Sequence, residues 1–368
     1  MIATMNKPIR YEPDYAVPPG DSLAELLDDR GMSQAELARR TGLSAKHINL
    51  ILKGSASVTP DTALKLERVL DVPARIWSAL EMNYQGHLSR LDEAKSLEEH
   101  VGWASKPLIK ELITRGCIER AADSVGQLRE LLKFFGVATV DAWNTVWSES
   151  APLAAYRLAR QDADPAALAA WMRIGEIRAA EVETETFDRE SFDAALREAR
   201  SLTRVADPHV WFPQLQEICR RAGVVVIIEK ELPGARVNGV ARWLTPTKAL
   251  IQLSARYLRD DIVWFTFFHG GAHLLLHGKR SGPRYIPPTF VDTKDSSGRS
   301  EEEADSFAAD LLIPASQASR LHSMRSLNDV TVFAAELGIS PGIVIGRLHH
   351  EGLKAPGWGA GLIARYKW

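Results

Sequence analysis

Two histidines four residues apart, His269 and His273, have the types and spacing that suit metal chemistry. On a helix that spacing stacks both imidazoles on one face, one turn apart, within reach of a single ion. They sit in WFTFFHGGAHLLLHGKR (residues 264–280), an apolar stretch of the kind that lies in a domain core. A third donor must come from elsewhere in the chain. SEEEADSFAADLLIP (residues 300–314) reads as an amphipathic helix whose core face carries Ala304, Phe307, Ala308, Leu311 and Leu312, with Glu303 at the edge of that face. His269, His273 and Glu303 then form a two-His, one-Glu set, which selects zinc and leaves a fourth position for water. His277 lies four residues beyond His273, on a similar face.

A second chemistry lies near the N-terminus, in MSQAELARRTGLSAKHINLILKG (residues 32–54). Ser33 is a good N-cap with Glu36 at the capping-box position, Gly42 permits a tight turn, and Ser44 caps the next helix. Ile48, Ile51 and Leu52 give that helix an apolar face. Its early exposed positions, Ala45, Lys46, His47 and Asn49, are then free to meet base edges in a major groove, and the capping Ser44 is counted with them among the DNA-binding residues. Gln34 and Lys53 are placed to touch phosphates. Residues 21–84 carry eight Lys and Arg against nine Asp and Glu, so electrostatic attraction to DNA is modest and salt-sensitive. Useful specificity on a double-stranded operator then calls for a homodimer reading half-sites about 34 Å apart.

The elements that hold these residues follow from pattern. Residues 1–20 read as a polar arm, 21–84 as short helices with breaks at Gly31, Gly42 and Gly54, and 85–207 as a helical middle region with a break near 162–165. From 208 to 368 the chain becomes α+β. VVVIIE at 224–229 is a continuous β-branched run, and 237–243 and 249–253 are two further short strands. The strand at 237–243 is a candidate edge that receives an extended peptide. Helices follow at 257–277 and 300–312, separated by a polar loop at 292–300. Residues 332–348 look like a second helix-turn-helix and are read as packing. Trp143, Trp147 and Trp171 are read as core aromatics. The fold expected is mainly α, with an N-terminal helix-turn-helix bundle, a helical middle region and a small α+β C-terminal domain carrying a short β-sheet.

Residues 15–84 resemble the Cro/repressor-like (XRE) helix-turn-helix family, in particular the antitoxin branch typified by HigA, through SQAELA, LSAKHIN and TPDTALKLERVL. Residues 208–355 resemble the ImmA/IrrE family of zinc metallopeptidases, through the strands, the His-containing helix and EEEADSFAADLLIP. That resemblance implies His269, His273 and Glu303 as ligands, with Glu301 as the alternative third. It also implies an HExxH motif, whose glutamate is the general base that takes a proton from zinc-bound water. Here that position is Gly270, followed by Gly271. Two glycines inside a helix cost about 1 kcal/mol each relative to alanine, with no packing gain apparent from the sequence. Three explanations stand: a natural pseudoenzyme that keeps zinc, a deliberate replacement, or another carboxylate such as Glu302 acting as base.

Composition bounds the rest. The net charge is −2, hydrophobic residues make up 45% and charged residues 25%, so the chain reads as ordinary globular protein without a global basic field. Cys117 and Cys219 are far apart and lack CxxC spacing, which argues against a cysteine zinc site or a disulfide framework. The apolar runs are far shorter than the ~20 residues a membrane span needs, and residues 1–19 lack the apolar core of a signal peptide, so a cytoplasmic location is expected. The function expected is a transcriptional regulator of a toxin–antitoxin or phage-type operon whose C-terminal domain binds a regulatory protein or peptide. The competing expectation is a zinc peptidase that cleaves a repressor or antitoxin, inactive without its base.

Overall fold

The computed structural model describes residues 15–148, 164–277, 289–291 and 299–367. The polar arm, the break near 162–165 and the loop at 292–300 fall largely outside these residues. The chain divides into two compact units, Met1–Gly102 and Trp103–Trp368.

The first unit is built from α1 (Pro19–Asp29), α2 (Gln34–Thr41), α3 (Ala45–Leu52), α4 (Pro60–Leu70) and α5 (Ala74–Glu98). Local chemistry sets the boundaries. Ser33 Oγ accepts from Glu36 N–H, Ser44 Oγ from His47 N–H and Thr59 Oγ1 from Thr62 N–H, each satisfying an orphan amide of a first turn. Only half of the expected capping box forms, because the Glu36 carboxylate turns instead to Arg39 and Arg40. Gly42 ends α2 at φ 70°, a left-handed conformation that glycine adopts without penalty. Leu23, Leu37, Ile48, Ile51, Leu66 and Trp77 close the core.

The second unit is centred on a four-stranded sheet of order β1-β3-β2-β4. Its strands are β1 (Val224–Glu229), β2 (Gly239–Thr245), β3 (Lys248–Ser254) and β4 (Thr289–Val291). β1 runs parallel to β3, while β2 is antiparallel to both β3 and β4. β4 was not anticipated, and it changes one reading. It pairs with β2 over Gly239–Ala241, so that stretch of β2 is not an open edge for an incoming peptide.

Side chains alternate between the two faces, as the pleat requires. On one face Val226, Ala241, Ile251 and Leu253 pack beneath α10 (Arg189–Ala199), α11 (Pro208–Arg220) and α12 (Asp260–Leu276). Val240, from the other face, packs with residues of α6 (Lys106–Thr114), α7 (Ser124–Phe135) and α9 (Pro165–Ala180) and with Trp143 of α8 (Val140–Trp143). The helices of 103–207 therefore share a core with the sheet instead of forming a middle domain of their own. Trp143, Trp147 and Trp171 are all buried in that core, and Trp171 Nε1 donates to the Glu229 carbonyl. Arg115, the residue after α6, fastens the end of β1, donating to the Glu229 carboxylate and to the carbonyls of Lys230 and Glu231.

α13 (Arg299–Leu312) lies along α12, and α14 (Leu327–Leu337) and α15 (Pro341–His350) complete the unit. The last two meet at 115° across Gly338 in a left-handed conformation, which is helix-turn-helix geometry. The face that would read DNA is spent on the core: Ile343, Val344, Ile345 and Leu348 are buried, so this pair serves packing. Among the described residues no single helix is long and apolar enough to cross a membrane.

Candidate functional site

α12 presents His269 and His273 inward, 3% and 5% exposed, one turn apart as their spacing requires. α13 brings the carboxylate. Its buried residues are Ala304, Ala308 and Leu312, and Glu301 lies one turn before Ala304 on the same face. Glu301 Oε2 is 3.1 Å from His269 Nε2 and 3.3 Å from His273 Nε2, and the two Nε2 atoms are 2.9 Å apart. The third corner is therefore Glu301 and not Glu303. Two residues along a helix is about 200° of rotation, so both glutamates cannot face the same point. Glu303 points instead to His277 Nε2 at 3.0 Å and to Arg299 Nε at 2.9 Å.

The hydrogen bonds behind the site fix the proton positions. Asp305 Oδ1 lies 2.7 Å from His269 Nδ1, which places the proton on Nδ1 of the neutral ring and leaves Nε2 as a lone pair facing the site. Burial lowers the basicity of His269, but the hydrogen bonds of Asp305 and Glu301 outweigh it and hold its pKa above the ordinary value. Burial dominates at His273, whose pKa falls below the ordinary value. Burial also pushes Glu301 up, yet the neighbouring imidazoles of His269 and His273 outweigh it and bring its pKa down to about 2. The triangle is thus a place for one positive charge, held either as a proton on His269 or as a metal ion that displaces it. His269, His273 and Glu301 offer donor atoms that lie within 4.8 Å of one another. A tetrahedral zinc with bonds of 2.0–2.1 Å spaces its ligands about 3.3 Å apart, so the donor set and its dimensions fit that ion.

Gly270 faces the sheet. A Cβ there would lie 3.3 Å from Ala241 Cβ and 3.5 Å from Ile251 Cγ2, and one at Gly271 would lie 2.8 Å from Leu196 Cδ2. The glycine pair therefore does have a packing reason, contrary to the expectation from sequence: it seats α12 closely between β2, β3 and α10. Glu302 is exposed. Among the described residues the carboxylates on this histidine pair are Glu301 and Asp305, and both are engaged with ring nitrogens. Beside the site is a cleft of about 380 Å³ lined by Phe187, Arg189, Trp243, Leu274, Leu275, Leu276 and Glu303.

In the first unit Gln34, Ser44, Lys46 and Lys53 are exposed, and His47 and Asn49 are half-buried, while Ile48 and Ile51 anchor α3 from behind. Ser44 spends an oxygen lone pair on the cap of α3.

Comparison with known proteins agrees with this division. Residues 23–77 match the family model described as helix-turn-helix, and residues 219–349 match that of the IrrE N-terminal-like domain. An uncharacterized HTH-type transcriptional regulator of Escherichia coli, YddM, is 30% identical over 80 residues, covering 22% of this chain and 81% of the relative. The chain belongs to the helix-turn-helix regulators. It joins to that reader an IrrE-like, peptidase-type domain. Two solved structures are similar over the helix-turn-helix regulator's N-terminal part. One is the Pseudomonas aeruginosa antitoxin HigA with the higBA promoter, at 29% identity, covering 23% of this chain and 94% of that one with a TM-score of 0.22. The other is an addiction module antidote protein of the HigA family from Coxiella burnetii, at 28% identity, covering 23% and 92% with a TM-score of 0.21.

Sequence reasoning found the histidine pair but ranked Glu303 above Glu301, and it missed Asp305 altogether. Both were readable from the helix period. Glu301 precedes the buried Ala304 and Ala308 by three and seven residues, and Asp305 follows Glu301 by one turn.

Proposed function

We propose that this chain is a DNA-binding transcriptional regulator whose C-terminal domain holds zinc through His269, His273 and Glu301 and uses it for structure or sensing rather than for peptide hydrolysis. The observation that carries the reading is the contrast around α12: three donors converge, while the position of the general base is a glycine seated against Ala241 and Ile251. Bound zinc would supply Lewis acidity and a polarised water, and hydrolysis would still need a base within hydrogen-bond reach of that water. His269 and His273 would bind through Nε2 and Glu301 through Oε2, with Asp305 orienting His269. The neighbouring cleft, lined by Phe187, Trp243 and leucines together with Arg189 and Glu303, suits a peptide or a segment of a regulatory protein as the partner of this domain.

In the first unit Lys46, His47 and Asn49 would meet base edges, and Gln34, Ser44 and Lys53 the backbone of a double-stranded operator. The near-neutral charge of this unit makes a homodimer on paired half-sites part of the proposal. The resemblance of residues 15–84 to HigA-type antitoxins supports reading the chain as the regulator of a toxin–antitoxin or phage-type operon, acting in the cytoplasm. Binding of the full chain to DNA from its own promoter, against scrambled DNA of equal length, tests the first half; equal affinity for both defeats it. For the second half, Gly270→Glu combined with Ala241→Gly restores a carboxylate and the room it needs. The proposal expects the unaltered chain to leave candidate repressors and antitoxins intact; cleavage by the unaltered chain would restore the peptidase reading.

A further inference from the structure

His277 and Glu303 lie outside the donor triangle, yet they are joined to it by an unbroken chain of contacts. His277 Nδ1 is 3.2 Å from His273 Nδ1, His277 Nε2 is 3.0 Å from Glu303 Oε2, and Glu303 Oε1 accepts from Arg299 Nε at 2.9 Å. A carboxylate only accepts, so His277 must carry its proton on Nε2. Its Nδ1 is then a lone pair, and the contact between the two Nδ1 atoms becomes a hydrogen bond only if His273 supplies the proton. His273 is thereby fixed as the Nδ1–H tautomer, with the Nε2 lone pair turned toward His269 and Glu301.

We propose that His277 and Glu303 are positioning residues that set the tautomer and ring orientation of His273, making it a ready donor for a divalent metal ion. The inference rests on reading His269, His273 and Glu301 as a metal site, and it assigns a role to two residues outside that donor triangle. The two histidines of the site are oriented by different means. His269 leans directly on Asp305, whereas His273 is reached through an intervening imidazole. The intermediary follows from the helix: His277 is one turn beyond His273 on the same side of α12, and it spans the gap to Glu303 on α13. Glu303, 37% exposed, is held at the open end of the relay by an arginine that is 92% exposed.

The test uses the full chain in two measurements. Long-range proton–nitrogen correlation spectra of the imidazoles, taken metal-free at about pH 8, above the ordinary imidazole range, report the tautomer of His273 directly. The expected result is the Nδ1–H form in the unaltered protein and a mixture or the Nε2–H form in His277→Ala. Zinc affinity, measured by competition with a chromophoric chelator, should fall about 10–100-fold in His277→Ala, as is usual when the group orienting a metal-bound histidine is removed. His277→Gln should recover most of that loss, because its amide oxygen accepts from His273 while its NH₂ donates to Glu303. Glu303→Gln, a substitution near the surface, guards against misfolding of the His277 variants and should lower affinity less than His277→Ala. An Nε2–H His273 in the unaltered protein overturns the relay, as does a His277→Ala protein with unchanged tautomer and affinity. If the unaltered protein binds no zinc, the metal reading fails, and the tautomer result still decides the relay on its own.

Discussion

Glu301 and Glu303 stand two residues apart on one helix, and their environments divide them: one faces two buried imidazoles, the other a partly buried histidine and an exposed arginine. The sequence displays three consecutive glutamates, and composition alone does not choose among them. The choice lies in the angular position of each relative to Ala304 and Ala308, which only the period of α13 supplies. The histidine pair was legible because i, i+4 spacing on an apolar helix has few other uses. A second consequence at this scale concerns Asp260, fully buried at the start of α12, where it accepts from Ser340 Oγ at the N-terminus of α15. Burial pushes its pKa up to about 6 from 3.8. A carboxyl whose folded pKa is raised stabilises the fold below its unfolded pKa, and that contribution is lost as pH rises through the folded value. Stability from this group should therefore decline between about pH 4 and pH 6, by on the order of 2–3 kcal/mol. Urea midpoints across that range should show the decline, and Asp260→Asn should flatten it.

At the scale of elements, the seating of α12 on β2 is made by small residues in register. A Cβ on Gly239 would meet Thr266 Cγ2 at 2.5 Å, and one turn on along the helix Gly270 meets Ala241. Strand positions 239 and 241 share a face by the period of two, and helix positions 266 and 270 share one by the turn. The site histidine next to Gly270 depends on this close approach. Gly239→Val should force the two elements apart and destabilise the second unit by about 1–3 kcal/mol, read as a lower urea midpoint accompanied by weaker zinc binding. An unchanged midpoint would mean that the contact yields freely. The glycines in WFTFFHGGAHLLL could be read from sequence only as a fault in a helix. Their partners, Ala241 and Leu196, are separated from them by 29 and 75 positions, and no local pattern reveals such a contact. The same distance in sequence hid β4, a three-residue strand whose only signal is its partner.

At the scale of the molecule, the two units carry two chemistries, and each was visible in the sequence through a motif with fixed spacing. The boundary between them was less visible. Residues 85–207 read as a helical region of their own, but apolar positions between 104 and 174 share a core with Leu232, Ala235, Val237 and Val240 of the sheet and the segment leading into it, which periodicity does not disclose. The residues proposed to meet DNA lie wholly in the first unit. Asn49→Ala should cost about 1–3 kcal/mol of operator affinity and relax specificity, while Lys53→Ala should weaken all DNA alike and reduce the salt slope by about one. Band-shift titrations at several salt concentrations separate the two effects. The central claim concerns the second unit, and the most direct test of it is the zinc content of the purified full chain, measured by elemental analysis at saturating zinc followed by exhaustive desalting. The account predicts about one zinc per chain in the unaltered protein, none in Glu301→Ala, and a retained though weaker site in Glu303→Ala. Zinc retained in Glu301→Ala and lost in Glu303→Ala would contradict it.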